Sequence, residues 1–321
     1  MARQSTDAES PLVSIVITTY NRPEYLRRAV ETVENQRYEP IELIVVDDCS
    51  RTPAREVLAD VDPDVAAFEI RRHRENAGPN AARNTGVDAA SGEYIAFLDD
   101  DDRWEPEKIG RQVERFQTAS DSVGLVYTGR KIVDDGALVD VSTATPIEGD
   151  ATRAVLCENV VGTQSAVMVQ ADVAKETPFD ERISRWADLE WYVAVSTKCE
   201  FACVLDPLVV YEFAAHNRIS DDYGQLLESH RLFVEKYRER AREYGWLFER
   251  KMRGYASYRV GSASIDNANY DVARRYFLGA VRLYPLEPKF FAYALATLGG
   301  GTTHRIARRT ERLLSALPGL V

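Results

Sequence analysis

Residues 94–102 read Tyr-Ile-Ala-Phe-Leu-Asp-Asp-Asp-Asp. A strand-like apolar run delivers four consecutive carboxylates, Asp99 to Asp102, and the first basic residue after them is Arg103. Four adjacent negative charges repel one another, so the run calls for compensation. Hard divalent cations supply it well, because Mg²⁺ or Mn²⁺ takes oxygen ligands and one or two protein carboxylates suffice. The carboxyl ends of strands are also where ligands bind in an open α/β sheet. The competing reading is a solvated acidic loop that caps a helix beginning near Glu105.

Two further polar clusters close strand-like runs: Thr18-Thr19-Tyr20-Asn21-Arg22 and Asp47-Asp48-Cys49-Ser50. In a parallel sheet all three clusters emerge at one end and converge on one crevice. Between the second and third lies Asn76-Ala-Gly-Pro-Asn-Ala-Ala-Arg83-Asn84-Thr-Gly86, a turn running into a helix. A helix N-terminus suits phosphate oxygens, and Arg83 can pair with a carboxylate or a diphosphate.

The elements that must position these groups show in the periodicity. Residues 12–19 and 41–46 are continuous apolar runs, the pattern of strands covered on both faces. A weaker strand falls at 68–72 and a strong one at 94–98, with helices over 23–36 and 80–89. Such alternation implies βαβ units and a mostly parallel sheet. Beyond Asp102 the rhythm changes to a helix over 104–118, strands at 123–128, 166–169 and 201–213, and helices at 153–158 and 188–196. From Tyr223 onward the chain reads as helix, which puts a domain boundary near residue 222 and a folded domain over 12–222, preceded by a disordered N-terminus, 1–11.

Within the helical region 223–321, residues 269–285 resemble the second helix of a tetratricopeptide-type hairpin. Residues 304–317 form a basic amphipathic stretch, with Ile306, Leu313, Leu314 and Leu317 along one side and Arg305, Arg308, Arg309 and Arg312 on the rest. Such a helix lies on an anionic lipid surface, or packs on its domain with the arginines in water.

Composition narrows the classes. At 321 residues the chain can bury a large core, and its net charge of −11 argues against nucleic acid as a partner. Cys49, Cys157, Cys199 and Cys203 are scattered without metal-site spacing and read as reduced thiols. The N-terminus lacks the apolar segment of a signal peptide, and no run of about 18 apolar residues exists. A cytoplasmic location is expected, with peripheral contact at the inner membrane face through the C-terminal helix.

The ordered motifs Val-Ser-Ile-Val-Ile-Thr-Thr-Tyr-Asn-Arg, Val-Val-Asp-Asp-Cys-Ser, Asn-Ala-Gly-Pro-Asn-Ala-Ala-Arg-Asn-Thr-Gly and Phe-Leu-Asp-Asp-Asp-Asp resemble family 2 glycosyltransferases over about residues 12–220. The resemblance implies a GT-A nucleotide-diphospho-sugar transferase fold, with a mostly parallel Rossmann-like sheet, flanking helices and a C-terminal helical appendage. Other nucleotide folds fit poorly, since neither a P-loop nor GxGxxG follows the first strand. By the resemblance, Asp48 hydrogen-bonds the base of a nucleotide sugar and Thr19, Tyr20, Asn21 and Arg22 wall the same site. Arg83 and Asn76 help hold the nucleotide. In the family's DxD element, Asp99 sits near the ribose and Asp101 binds Mn²⁺ or Mg²⁺ across the diphosphate, with Asp100 between them.

The family draws its general base from a Glu-Asp pair opening a later helix. Here Ala187-Asp188 occupies that place, so Asp188 matches the base, Ala187 replaces the usual Glu, and Glu190 is a rival. His216 falls where the family often sets a histidine near the metal or diphosphate. Trp104 and Trp186 are candidates to line an acceptor cleft or to fill the core. The implied activity is inverting transfer of a sugar from a nucleoside diphosphate, UDP by family habit, to a hydroxyl of a glycan or lipid-linked glycan. The rivals are polyprenyl-phosphate sugar transfer, which shares the fold, and an inactive scaffold.

Overall fold

The computed structural model describes residues 10–212 and 223–298. The chain forms two compact units, Met1–Val155 with Asn159–Arg218, and Leu156–Glu158 with Ile219–Val321. The first opens with β1 (Val13–Thr19), α1 (Pro23–Glu34), β2 (Ile41–Asp47), α2 (Ala54–Val57), β3 (Ala67–Arg72), α3 (Pro79–Ala89) and β4 (Tyr94–Asp99). It continues with β5 (Arg103–Trp104), α4 (Lys108–Thr118), β6 (Val123–Asp134), β7 (Ala137–Ser142), α5 (Thr152–Cys157), β8 (Val167–Gln170), α6 (Ala171–Glu176), α7 (Ala187–Ser196) and β9 (Glu200–Glu212).

Among the described residues these strands make one sheet in the order β3-β2-β1-β4-β8-β6-β9-β5, with β7 on β6. The β3-β2-β1-β4 half is parallel, and its register sets Thr19 beside Asp47 and Thr18 beside Asp99. Three polar strand ends therefore share one edge. The other half is mixed, because β8 runs antiparallel to both β4 and β6 while β6 and β9 are parallel.

Both faces of β1, β2 and β4 are covered, which is why these strands are largely apolar. Ile15, Ile17, Leu43 and Val45 pack with Leu26, Ala29, Val30 and Val33 of α1 and with Ile109, Val113 and Phe116 of α4. On the opposite face α3 comes so close that a Cβ on Gly86 would stand 2.2 Å from Val16 Cγ1. Gly86→Ala gains up to about 1 kcal/mol of helix propensity, but overpacking costs about 1–3 kcal/mol. The clash wins here because its nearest atom is a stiff β-branched methyl. A net loss of stability is expected in denaturant unfolding, and a variant more stable than the parent would show that α3 can shift.

Two elements depart clearly from the sequence expectation. The helix expected at 104–118 begins at Lys108, because Pro106 favours extended backbone before it and Arg103–Trp104 pairs with Val210 and Val209 of β9. The strand expected at 123–128 runs on to Asp134 and returns as β7. Asp135 and Gly136 both take positive φ there, 49° and 77°, which a tight two-residue hairpin turn requires.

In the second unit, α8 (Tyr223–Glu243), α9 (Trp246–Asp266), α10 (Tyr270–Leu283) and α11 (Pro288–Ala296) follow in order. Gly254 and Gly261 of α9 receive the buried rings of Phe290 and Phe277 at distances no side chain would permit. Among the described residues no helix is long and apolar enough to cross a membrane. The basic stretch 304–317 lies outside the described residues, as does most of the N-terminal segment 1–11.

Candidate active site

The acidic run is built into the fold. The Asp102 N–H donates to the Asp99 carbonyl at 3.0 Å, closing a turn that sends alternate side chains in opposite directions. Asp99 and Asp101 keep 28% and 19% of their side-chain exposure, whereas Asp100 keeps 5% and Asp102 is 1% exposed. The inward pair is anchored. Asp100 accepts from Thr19 Oγ1 at 2.7 Å and Arg22 Nη1 at 3.1 Å, and Asp102 accepts from Thr163 Oγ1 at 3.2 Å. The outward pair is held by arginines, Arg83 Nη2 to Asp99 at 2.7 Å and Arg22 Nη1 to Asp101 at 2.8 Å. The solvated-loop reading fails on this burial.

Burial and mutual repulsion show in the titration. Burial pushes Asp100 up to about 7, against the Arg22 charge and the Thr19 hydrogen bond that favour its ionised form. Burial, then the charges of Asp101 and Asp99, drive Asp102 well above the usual carboxylate range. Asp101 is raised by burial and by Asp99, with Arg22 opposing. The outward carboxylates thus lie beside two buried acids whose ionised forms burial disfavours.

The β1 and β2 ends are sewn together beside this run. The Asn21 N–H donates to Ser50 Oγ at 2.9 Å, and the Arg51 N–H to Asn21 Oδ1 at 2.8 Å. These bonds hold Asn21 and Cys49 at φ 56° and 66°, backbone strain of a kind that collects at functional sites. Buried Asp47 accepts from the N–H groups of Ser50 and Ala54 at 2.7 and 3.0 Å and so shapes the turn into α2. Asp48 is 3% exposed and accepts from the N–H groups of Ala77 and Gly78, each at 2.8 Å. It therefore fixes the 76–78 loop, and Asn76 Nδ2 lies 3.4 Å from its carbonyl. Asp48→Asn turns a donor toward one of these part-buried N–H groups, and losing that hydrogen bond costs about 0.5–1.5 kcal/mol. That loss should appear in thermal unfolding, and an unshifted transition would mean the loop is held by other contacts. Tyr20 stands 47% exposed at the same end of the sheet.

Sequence reasoning missed His73, which follows β3. Its Nδ1 is 2.8 Å from Asp48 Oδ1 and its Nε2 is 2.8 Å from Thr85 Oγ1, so it links the Asp48 loop to α3. The signal was available, since the residue sits at a fourth polar strand end. Asn80 was also missed. It is buried, donates to the carbonyls of Asp180 and Ile183 at 2.9 Å, and braces Arg83 at 3.3 Å.

Asp188 opens α7, which is locked by Trp191. That indole donates to the Thr177 carbonyl at 2.7 Å, stacks on Phe179 with centroids 4.6 Å apart and meets Phe97 edge-on. Half-buried Asp188 accepts from its neighbour Leu189 N–H at 2.8 Å and from Asn159 Nδ2 at 3.0 Å. Burial raises its pKa and so does Asp99, while the Leu189 N–H and Arg83 pull it down. That coupling to Asp99 and Arg83 places it at the same crevice. Glu190 lies about 200° around the helix and is 1% exposed, so it faces the interior. Trp104 belongs to the core: it is 4% exposed, donates to the Ser165 carbonyl at 2.8 Å, and carries Lys108 Nζ 3.9 Å above its ring. Trp186 is half-buried and enters α7 at φ 58°. His216 lies outside the described residues.

A sheet whose parallel half ends in polar loops beside an outward Asp-x-Asp and a helix-borne Asp has the GT-A fold. The chain matches the family model for glycosyl transferase family 2 over residues 14–168, just under half of its length, and the match supports a family 2 glycosyltransferase. It is 34% identical over 131 residues to the putative teichuronic acid biosynthesis glycosyltransferase TuaG of Bacillus subtilis (strain 168), covering 40% of this chain and 51% of that protein. The chain thus spans about half the length of this curated relative. Its fold matches S. aureus TarS 1-349 with a TM-score of 0.63 at 15% identity, over 94% of this chain and 91% of that one. It also matches the mannosyltransferase PcManGT of Pyrobaculum calidifontis, with a TM-score of 0.53 at 17% identity over 97% and 89%. At these identities the solved structures speak to fold alone.

Proposed function

We propose that the chain is an inverting glycosyltransferase that moves a sugar from a nucleoside diphosphate to an acceptor hydroxyl. The observation that carries this reading is the outward pair Asp99 and Asp101, coupled through Arg83 to a partly accessible Asp188 at one sheet end. Asp48 and the loops around Thr19, Tyr20, Asn21, Arg22 and Asn76 form the nucleotide side, and Arg83 supplies a cation for the phosphates. Asp188 is the general base that takes the proton from the acceptor hydroxyl as the sugar–phosphate bond breaks.

The outward carboxylates suit a divalent ion. Among the described residues no group of three or more His, Cys, Asp or Glu could hold one alone, and Mg²⁺ or Mn²⁺ typically uses one or two carboxylates plus phosphates and waters. Asp101 would hold it, with Asp99 beside it, and the ion would neutralise charge developing on the leaving diphosphate. TarS has been crystallised with UDP and with UDP-GlcNAc, and PcManGT with GDP-Man and Mn²⁺. We assign UDP as donor nucleotide and a glycan or lipid-linked glycan as acceptor, in keeping with TuaG's naming for teichuronic acid biosynthesis.

Calorimetric titration with UDP, GDP and their sugars, with and without Mn²⁺, tests the reading. Mn²⁺-dependent binding of a UDP-sugar is expected. Absence of binding by every nucleotide would overturn the assignment, and selective GDP binding would replace UDP.

A further inference from the structure

Arg130 stands out among the cations near the candidate base. Its β6 neighbour Lys131 is paired with Glu105 at 2.6 Å, and Arg103 lies 3.8 Å from Glu212. Half-buried Arg130 has no carboxylate or hydrogen-bond partner among the described residues, only the Tyr211 ring 5.7 Å from its guanidinium carbon. A desolvated guanidinium left without an acceptor is costly.

Its position ties it to Asp188. A Cβ on Gly162 would lie 3.4 Å from Arg130 Nη1, so the guanidinium rests against that glycine, which takes φ 101°. Gly162 is closed onto Asn159 by two 2.8 Å hydrogen bonds, its N–H to Oδ1 and Nδ2 to its carbonyl. The same Asn159 Nδ2 donates to Asp188 at 3.0 Å. Arg130 is therefore one tight turn away from the carboxylate that would receive the acceptor hydroxyl.

A second unpartnered group points to the same place. Tyr192 follows Asp188 by one helical turn, so both lie on one face of α7. Its side chain is fully buried and its hydroxyl has no hydrogen-bond partner among the described residues. That hydroxyl is within electrostatic reach of Asp188, Asp99, Arg83 and Arg130. Buried polar groups are rarely left unsatisfied without a reason. Arg83 is already committed to Asp99, which leaves Arg130 as the cation of this set without a carboxylate or hydrogen-bond partner among the described residues.

We propose that Arg130, assisted by the Tyr192 hydroxyl, is a subsite for an oxyanion carried by the acceptor, a phosphate or carboxylate close to the hydroxyl that is glycosylated. The assignment rests on the sugar-transfer reading for its meaning, but anion binding at Arg130 can be measured without it. An acidic acceptor would dock its charge on Arg130 across Gly162 and set its hydroxyl toward Asp188, whereas a neutral glycan would leave the guanidinium bare.

The test is ligand-observed NMR binding of glycerol 3-phosphate and glucuronate, with glycerol and glucose as neutral counterparts, to the full chain and its variants. At least one acidic probe is expected to bind saturably where its neutral counterpart does not. Arg130→Gln should weaken that binding about tenfold or more, Arg130→Lys should restore part of it, and Tyr192→Phe, which keeps the ring packing, should weaken it less. Equal binding by wild type and Arg130→Gln would overturn the proposal, as would a loss seen with Arg83→Gln and not with Arg130→Gln. Nucleotide titration on the same samples judges sugar transfer separately, since its failure would not alter the phosphate result.

Discussion

Replacing Asp188 with asparagine is expected to cut sugar transfer by about 10²–10⁴-fold, the usual range for a general base, while nucleotide-sugar binding persists. The variant keeps the shape of the side chain and still accepts the Leu189 N–H through its carbonyl oxygen. It removes the negative charge that a proton must meet. The wild-type pH profile should carry the matching signature. Burial and Asp99 raise Asp188 above the ordinary carboxylate value, which is about 3.9. The base works ionised, so activity should rise with pH through that raised value and fall on its acid side. Asp188→Asn should flatten this limb. Transfer that survived in Asp188→Asn but vanished in Glu190→Gln would move the base to Glu190, against the 1% exposure of that side chain.

The parallel half of the fold was legible because its physics is local. Strands 12–19, 41–46 and 94–98 must be apolar on both faces to fit between α1 and α4 on one side and α3 on the other, and that pattern survives in the sequence. The alternation within Asp99–Asp102 was not legible. Four identical letters cannot tell which two carboxylates turn inward, and it took the Thr19, Arg22 and Thr163 contacts to separate them. His73 was passed over because β3 is an exposed edge strand with little apolar signal. Trp104 resisted for another reason. An aromatic residue beside an acidic motif suits a sugar cleft or a core equally, and the choice depends on β9, whose pairing partner is about a hundred residues away. Arg130 follows the same logic, since a lone arginine on a strand gains meaning only when its neighbours prove to be paired and it does not.

The second large effect is expected at Asp101. Removing an outer-shell partner of a bound metal already costs about 10–100-fold, so Asp101→Asn, which removes a carboxylate ligand itself, should exceed that in Mn²⁺-dependent turnover. The fold should hold. Arg22 keeps its 3.1 Å bond to Asp100 when Asp101 loses its charge, and the lost pair is only partly buried, at 20% and 19% side-chain exposure. The raised pKa of Asp101 means that its ionised form burdens the folded state. A group raised in this way contributes stability below its unfolded value and loses it as pH climbs through the folded one. Neutral asparagine escapes that loss, which offsets the missing Arg22 contact, so the unfolding free energy should change by no more than about 1 kcal/mol. Asp100→Asn provides the contrast, because it disturbs a buried carboxylate bound to Thr19 and Arg22 at the root of the loop. A Mn²⁺ titration of turnover beside a thermal melt separates the two. An Asp101→Asn protein with wild-type melting and wild-type Mn²⁺ dependence would show that the ion is held elsewhere.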